Sequence, residues 1–309
     1  MAGILDRRAL WSSVLTLLVL PAQADETRTS KAAAQVIATV NDVEITAGTL
    51  DLVYLRRRIP DNRRAQLRGR FIEELIDRQL VSEFLDSRKV AASDAAVDAQ
   101  LKLIEDLIRK RKEEPASLLK RMGYTRESLR AELSIPLRWR AYAREVITAE
   151  KLREYWGRHR NRFDGTQLRA GHLLIKLPPE ATAAQVDAVR EKLDAVRENL
   201  AAGKTTFTAA TAKHSQAPSA STGGDVGFFP IRGKMHPTFA DAAFSLKPGE
   251  VSAPVRTPFG LHLITITDRR PGQLSLEDVC NEVFARVAQD RRAELIAQQR
   301  KAAKIVRAE

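Results

Sequence analysis

Between residues 168 and 270 the hydrophobic pattern of this chain changes period. Outside that stretch apolar residues recur at helical spacing; inside it they fall into short runs separated by glycine and proline. Leu168–Leu177 reads as a strand, ended by Pro178-Pro179. Residues 183–202 read as a helix with Val186, Val189, Leu193 and Val196 on one face and Gly203 just past its end. A second helix is expected over Phe207–His214, a short strand over Asp225–Phe229 and a short helix over Thr238–Phe244. Two last strands are expected over Val251–Val255 and His262–Thr267. Strands and short helices set between longer helical segments make an α+β chain. At 309 residues it has room for two domains.

The flanking segments read as helices with one small hairpin. Val36–Val40 and Val43–Ile45 pair about Asn41-Asp42, and Thr46 caps a helix to about Arg58. Phe71, Leu75, Leu80 and Phe84 recur near helical spacing, as do Val97, Leu101, Ile104 and Ile108 behind Ser93-Asp94. Pro115 opens a short helix, and Leu129, Leu133 and Leu137 mark another, which Pro136 should kink or break. Thr148 and Lys151 start a helix to about Arg160. Residues 276–304 form one long helix with Val279, Val283, Val287, Leu295 and Ile296 on a face, followed by Ile305-Val306 as a last strand. Cys280, the sole cysteine, is expected as a buried small residue in that helix. One cysteine allows no internal disulfide and no cysteine-based zinc site.

Residues 1–24 have the form of a secretory signal peptide: Arg7-Arg8, the apolar run Leu10–Leu20, the breaker Pro21 and the small-residue site Ala22-Gln23-Ala24. The run is shorter than the roughly 20 residues that span a bilayer; a retained anchor is the other reading. Residues 25–35 read as a disordered leader. The formal charge is +12. A basic protein outside the cytoplasm meets anionic lipid, acidic polymer or acidic polypeptide, so weak contact with an anionic membrane surface is one expectation. Nucleic acid is not expected, because basic residues alternate with acids along helices and no basic–aromatic motif occurs.

The candidate chemistry lies in five short motifs. They are Gly171-His172-Leu173-Leu174-Ile175; Gly223-Gly224-Asp225-Val226-Gly227-Phe228-Phe229; Met235 with Phe239 four residues on; Phe244 to Glu250; and Thr257-Pro258-Phe259-Gly260-Leu261-His262. Gly223, Gly224 and Gly227 suit positive φ or close chain approach. The glycine cluster is not a phosphate loop, since no Lys-Ser/Thr ending or helix follows. A lone histidine on an apolar strand is more often a satisfied core residue than a functional one. Two neutral imidazoles can hydrogen-bond only if one donates and the other accepts. No third ligand accompanies the pair, so neither a metal nor any other cofactor is expected.

In this order and spacing the motifs resemble the parvulin, or PpiC-type, family of peptidyl-prolyl cis/trans isomerases. The flanking helices resemble the exported SurA-like and PrsA-like chaperone group, and VIATVNDVEITAGTL resembles the start of its helical domain. The resemblance implies a division into 1–24 signal peptide, 25–35 leader, 36–165 helical chaperone-like domain, 166–271 parvulin domain (a four-stranded antiparallel sheet flanked by helices) and 272–309 C-terminal helix packing on the N-terminal domain. It implies a network of His172, His262 and Thr257, a proline-ring floor of Met235 and Phe239, and further lining by Val226, Phe229 and Phe259. Partners would be unfolded or proline-containing polypeptides in the bacterial periplasm. No arginine cluster follows the first strand, so phosphate dependence is not implied. The departure is Ala217, where the family usually has Asp or Cys. It implies weakened isomerase activity, or a peptide-binding holdase in place of an enzyme.

Overall fold

The computed structural model describes residues 32–308; the signal-peptide reading and most of the leader fall outside them. The described residues divide into two compact units. One comprises the residues up to Glu145 together with those from Arg291 onward, and the other is Val146–Asp290. No described helix is long and apolar enough to cross a membrane.

The first unit is built on a small sheet. β1 (Val36–Val40) and β2 (Val43–Thr46) form the expected hairpin, with Asn41 at φ 52° in its turn. β7 (Ile305–Arg307) pairs antiparallel with the other side of β1, giving the order β2-β1-β7. Asn41 fastens this arrangement: its amide donates to Lys304 O at 2.8 Å and its side-chain oxygen accepts from Lys304 N at 3.0 Å. Helices α1 (Ala47–Arg57) and α2 (Asp61–Ser87) cover the sheet. Phe71, Ile72, Leu75, Ile76 and Leu80 pack with Ile37, Val40 and Ile45. The other face of α1, Leu52 and Leu55, packs with α3 (Asp94–Arg109), α4 (Pro115–Arg121) and α5 (Arg126–Val146).

Two sequence expectations change here. α5 runs unbroken through Pro136. A proline inside a helix forfeits one backbone bond, and the burial of Leu129, Leu133 and Ile135 around it offsets that loss. The last residues of the leader are ordered: Ala33 is buried, and Gln35 O accepts from Ala47 N at 2.8 Å.

The second unit opens with α6 (Ala149–His159), where Thr148 Oγ1 caps Lys151 N. Its sheet has the order β4-β3-β6-β5, all antiparallel, from β3 (Gln167–Lys176), β4 (Asp225–Pro230), β5 (Val255–Thr257) and β6 (Gly260–Arg270). Side chains alternate across a strand. On β3 and β6 the alternation puts Leu168, Ala170, Ile264 and Ile266 on one face, packed with Phe229 and with Phe239, Ala243 and Phe244 of α9 (Pro237–Ser245). Leu173, Ile175, Leu261 and Leu263 lie on the other, against α7 (Ala183–Ala201) and α8 (Phe207–His214).

Of the expected strand Val251–Val255, only Val255 falls in a strand, as the first residue of β5, and an isolated bridge joins Val251 to Thr265. Pro254 has no N–H to give a ladder, and Ser252 meets β6 instead by an amide to Ile264 O at 2.8 Å and a hydroxyl accepting from Ile264 N at 3.0 Å. α10 (Leu276–Ala302) contributes its first half to this unit and its second half to the other. Val279 and Val283 are buried in it, whereas Cys280 is only half-buried.

Candidate active site

β3 pairs with β6 so that His172 lies opposite Ile264 and Leu174 opposite His262. Both histidines therefore project from the Leu168/Ile264 face, diagonal to each other on adjacent strands. Their Nδ1 atoms are 3.2 Å apart. His262 Nε2 is 2.7 Å from Thr257 Oγ1, which also accepts the Phe259 amide at 3.2 Å. His172 Nε2 is 3.0 Å from Ser219 Oγ. The result is a continuous chain, Ser219–His172–His262–Thr257. A neutral imidazole carries one N–H and one acceptor nitrogen, so the protons must line up head to tail along it, in one sense or the other.

The pair is held neutral. Burial lowers the pKa of His172 and pushes that of His262 down to about 4, with the charges of His172, His236 and Arg256 adding to the effect. The unfolded chain, with His262 near its ordinary 6.5, binds the extra proton first. Stability from this group is therefore intact above about pH 6.5 and is lost as the pH falls. We expect the Val146–Asp290 unit to lose about 2 kcal/mol between pH 7 and about pH 5. Urea unfolding at the two pH values checks this, and the difference should shrink in His262→Phe.

Over the pair lies a cavity of about 660 Å³. Its inner part is lined by Val226, Met235 and Phe239 together with the two histidines and Thr257. Phe239 is buried and meets both imidazoles edge-on, with centroids at 5.8 Å from His172 and 5.5 Å from His262. Its exposed rim is lined by Pro178, Pro179, Pro218 and Phe259, with Leu177 half-buried beside them, and by the cations Lys176 and Lys234. No carboxylate lines it among the described residues.

Of the residues singled out in sequence, His172, His262, Thr257, Val226, Met235, Phe239 and Phe259 converge on this cavity. Phe229 does not. It is wholly buried in the core behind Phe239, at 5.9 Å, and does not line the cavity, because its strand position turns it toward α9. Ala217 is buried, and its amide donates to Ser215 Oγ at 3.2 Å. Its neighbour Gln216 bonds the edge of β3, accepting from Lys176 N at 2.8 Å. Ser219 was not anticipated; it stands two residues beyond Ala217, on the 3₁₀ turn Pro218–Thr222.

An apolar cavity over a neutral histidine pair, on a β4-β3-β6-β5 sheet, defines a parvulin-type isomerase domain. The family model for the rotamase, PPIC-type PPIASE domain matches residues 172–268. The chain is 32% identical over 196 residues to the foldase protein PrsA of Geobacillus kaustophilus (62% of this chain, 61% of that protein). It is 32% identical over 195 residues to PrsA of Bacillus subtilis (62% and 59%). To the chaperone SurA of Albidiferax ferrireducens it is 36% identical over 113 residues (37% and 24%). It thus spans less than two thirds of the length of these relatives. Residues 172–268 thus carry a PpiC-type rotamase domain, and the chain is similar to proteins named foldase PrsA and chaperone SurA.

Proposed function

We propose that the cavity is a peptidyl-prolyl cis/trans isomerase site and that the chain is a folding chaperone for exported or outer-membrane proteins. Its partners are unfolded or proline-containing polypeptides, and its place of work is the bacterial periplasm. The observation that carries the reading is the Ser219–His172–His262–Thr257 chain lying under a cavity floored by Met235 and Phe239. The names of the relatives, foldase and chaperone, support client handling by the helical segments, residues 36–165 with 272–309.

Isomerisation breaks no covalent bond. The obstacle is amide resonance, a barrier of about 18–20 kcal/mol that makes the unaided X–Pro switch take tens to hundreds of seconds. At the twisted midpoint the bond loses double-bond character and its carbonyl becomes less polar, so an apolar cavity favours that state over the planar one. Met235, Phe239 and Val226 hold the proline ring while the preceding carbonyl turns. The histidine pair, neutral and locked at both ends by hydroxyls, lines the site without adding a charge that would favour the planar amide. No proton needs to move. A thousandfold acceleration asks for about 4 kcal/mol, within reach of burial and a few preorganised bonds.

The test is cis-to-trans isomerisation of unphosphorylated X–Pro peptides by the full chain. Met235 is partly buried at the edge of the core, so Met235→Ala should leave the fold intact while removing part of the ring contact. We expect kcat/KM to fall about tenfold, the equivalent of about 1.4 kcal/mol. A folded chain that binds these peptides without accelerating them would make it a holdase, the reading that Ala217 favours: its buried methyl brings no polar atom to the site.

A further inference from the structure

We propose that the first unit carries a basic patch, centred on Arg58 and Lys110, that docks on the phosphate headgroups of an anionic lipid surface. The inference is independent of the isomerase reading. It gives a place in the fold to what the positive charge of the chain only suggests.

The patch forms where two helix ends meet. α1 runs out in Arg56-Arg57-Arg58, and α3 in Arg109-Lys110-Arg111-Lys112. Between them lies a recess of about 560 Å³ lined by the cations Arg58, Arg64, Lys110 and Arg111 and by one carboxylate, Asp61. Asp61 is held by Arg64 at 2.8 Å. Arg111 has only a distant partner in Glu113, at 3.8 Å, which Arg121 holds more closely at 2.6 Å. Arg57 is paired with Glu74, and Arg109 with Glu105 and Asp106, whereas Arg58 and Lys110 have no ion pair among the described residues.

Cations at a helix C-terminus complement the carbonyl end of its dipole, and Arg57 and Arg109 already meet that need. Arg58 goes further. It sits at φ 53°, the left-handed position that ends many helices and usually falls to glycine. Lys112, just past α3, repeats this at φ 62°. The recess therefore gathers more positive charge than the unit neutralises, and an anion from outside relieves the repulsion.

Two observations favour lipid over an acidic polypeptide. Leu103 is 60% exposed and stands one turn before Leu107, which lines the recess, so an apolar ridge on α3 runs into the cations. Exposed leucine beside lysine and arginine suits a surface that sinks into the headgroup boundary while its charges stay at phosphate level. The second is where the chain enters. Ala32 and Ala33 line a neighbouring recess that shares Leu55, Arg64 and Arg111 with this one. Residues 21–31 separate them from the apolar run Leu10–Leu20, a stretch that reaches at most about 40 Å. With that run in the membrane, as the signal-peptide reading has it, the patch stays within that reach of the lipid surface.

Residues 25–309 hold every described residue and lack the apolar run, so they serve as the probe. The measurement is co-sedimentation with vesicles of phosphatidylcholine, alone or with about one third phosphatidylglycerol. Binding to the anionic vesicles should be at least about tenfold stronger and should vanish at about 0.5 M salt. Arg58→Asn, a residue that tolerates the left-handed turn, combined with Lys110→Gln should lower it about tenfold. Leu103→Ser should lower it about fivefold. Lys204→Gln with Lys213→Gln, the same charge change at exposed positions of the other unit, should stay within about twofold. Both patch residues are exposed and unpaired, so the urea midpoint should not move; if the double variant fails to fold, Lys110→Gln alone, with an expected loss of about fivefold, decides. Equal binding to both vesicle types overturns the inference, as does an equal loss in the two double variants, which net charge alone predicts. Capture by polyglutamate with no binding to vesicles also overturns it and makes the patch a site for acidic polypeptide.

Discussion

Phe239→Ala is expected to cost the Val146–Asp290 unit about 3–5 kcal/mol, the range for deleting a buried aromatic ring. The ring is 4% exposed and touches two kinds of neighbour. Behind it lie Phe229 at 5.9 Å and the Leu168/Ile264 core; in front, it meets His172 and His262 edge-on at 80°. Its removal leaves a void between the core and the histidine pair, and no single neighbour can close it without moving a catalytic group. Isomerase activity should fall more than the tenfold expected of Met235→Ala, because the floor and the support of the pair go together. Urea unfolding with peptide isomerisation measured on the same sample tests this. Phe239→Leu, which keeps most of the volume, should recover the larger part of the stability. A Phe239→Ala chain of near wild-type stability would mean that the ring is not the keystone of this core.

Gly224→Ala should be nearly as damaging, for a reason of backbone and not of volume. Gly224 has φ 82°, a conformation that costs an L-residue about 1–2 kcal/mol. A Cβ there would stand 2.3 Å from His172 O and 3.0 Å from His172 N, so β3 itself would have to shift. The same residue accepts the His172 amide at 2.9 Å and donates to Ser219 O at 2.8 Å. Displacing it moves both partners of the hydrogen bond between His172 and Ser219. We expect a loss of about 3 kcal/mol or more, with kcat reduced beyond what the folded fraction explains. Alanine at Gly203, which also has positive φ but has no atom within 4 Å of an added Cβ, serves as the control and should show only the conformational cost.

The parts of this site that were legible in sequence were those that a local pattern dictates. Alternation along Leu168–Leu177 and His262–Thr267 sets His172 with Leu168 and His262 with Ile264, the glycines around Asp225 suited positive φ, and the pairing of the two histidines came from the resemblance. Local pattern failed where a distant group decides the outcome. The apolar run Val251–Val255 resembles a strand, but the Ser252 hydroxyl takes the place of a ladder bond beside Pro254. Phe229 sits among lining residues in sequence, yet it turns into the core because Phe239 occupies the cavity side. Ser219 gave no signal at all. It meets His172, 47 residues away in the chain, only because the fold brings the two together.

The interleaving of the two units bears on how the molecule comes into being. The Val146–Asp290 unit is continuous, whereas the other is assembled from stretches on either side of it. As the chain is made, β1 can take up β2 at once, but its far edge stays open until Ile305–Arg307 emerges. Glu73 and Asp77 likewise wait for Arg300 and Arg307. The Val146–Asp290 unit is therefore free to mature first and the other unit last. A nascent molecule passes through a stage with one unit finished and one strand edge of the other still open, the kind of edge that invites pairing with other chains.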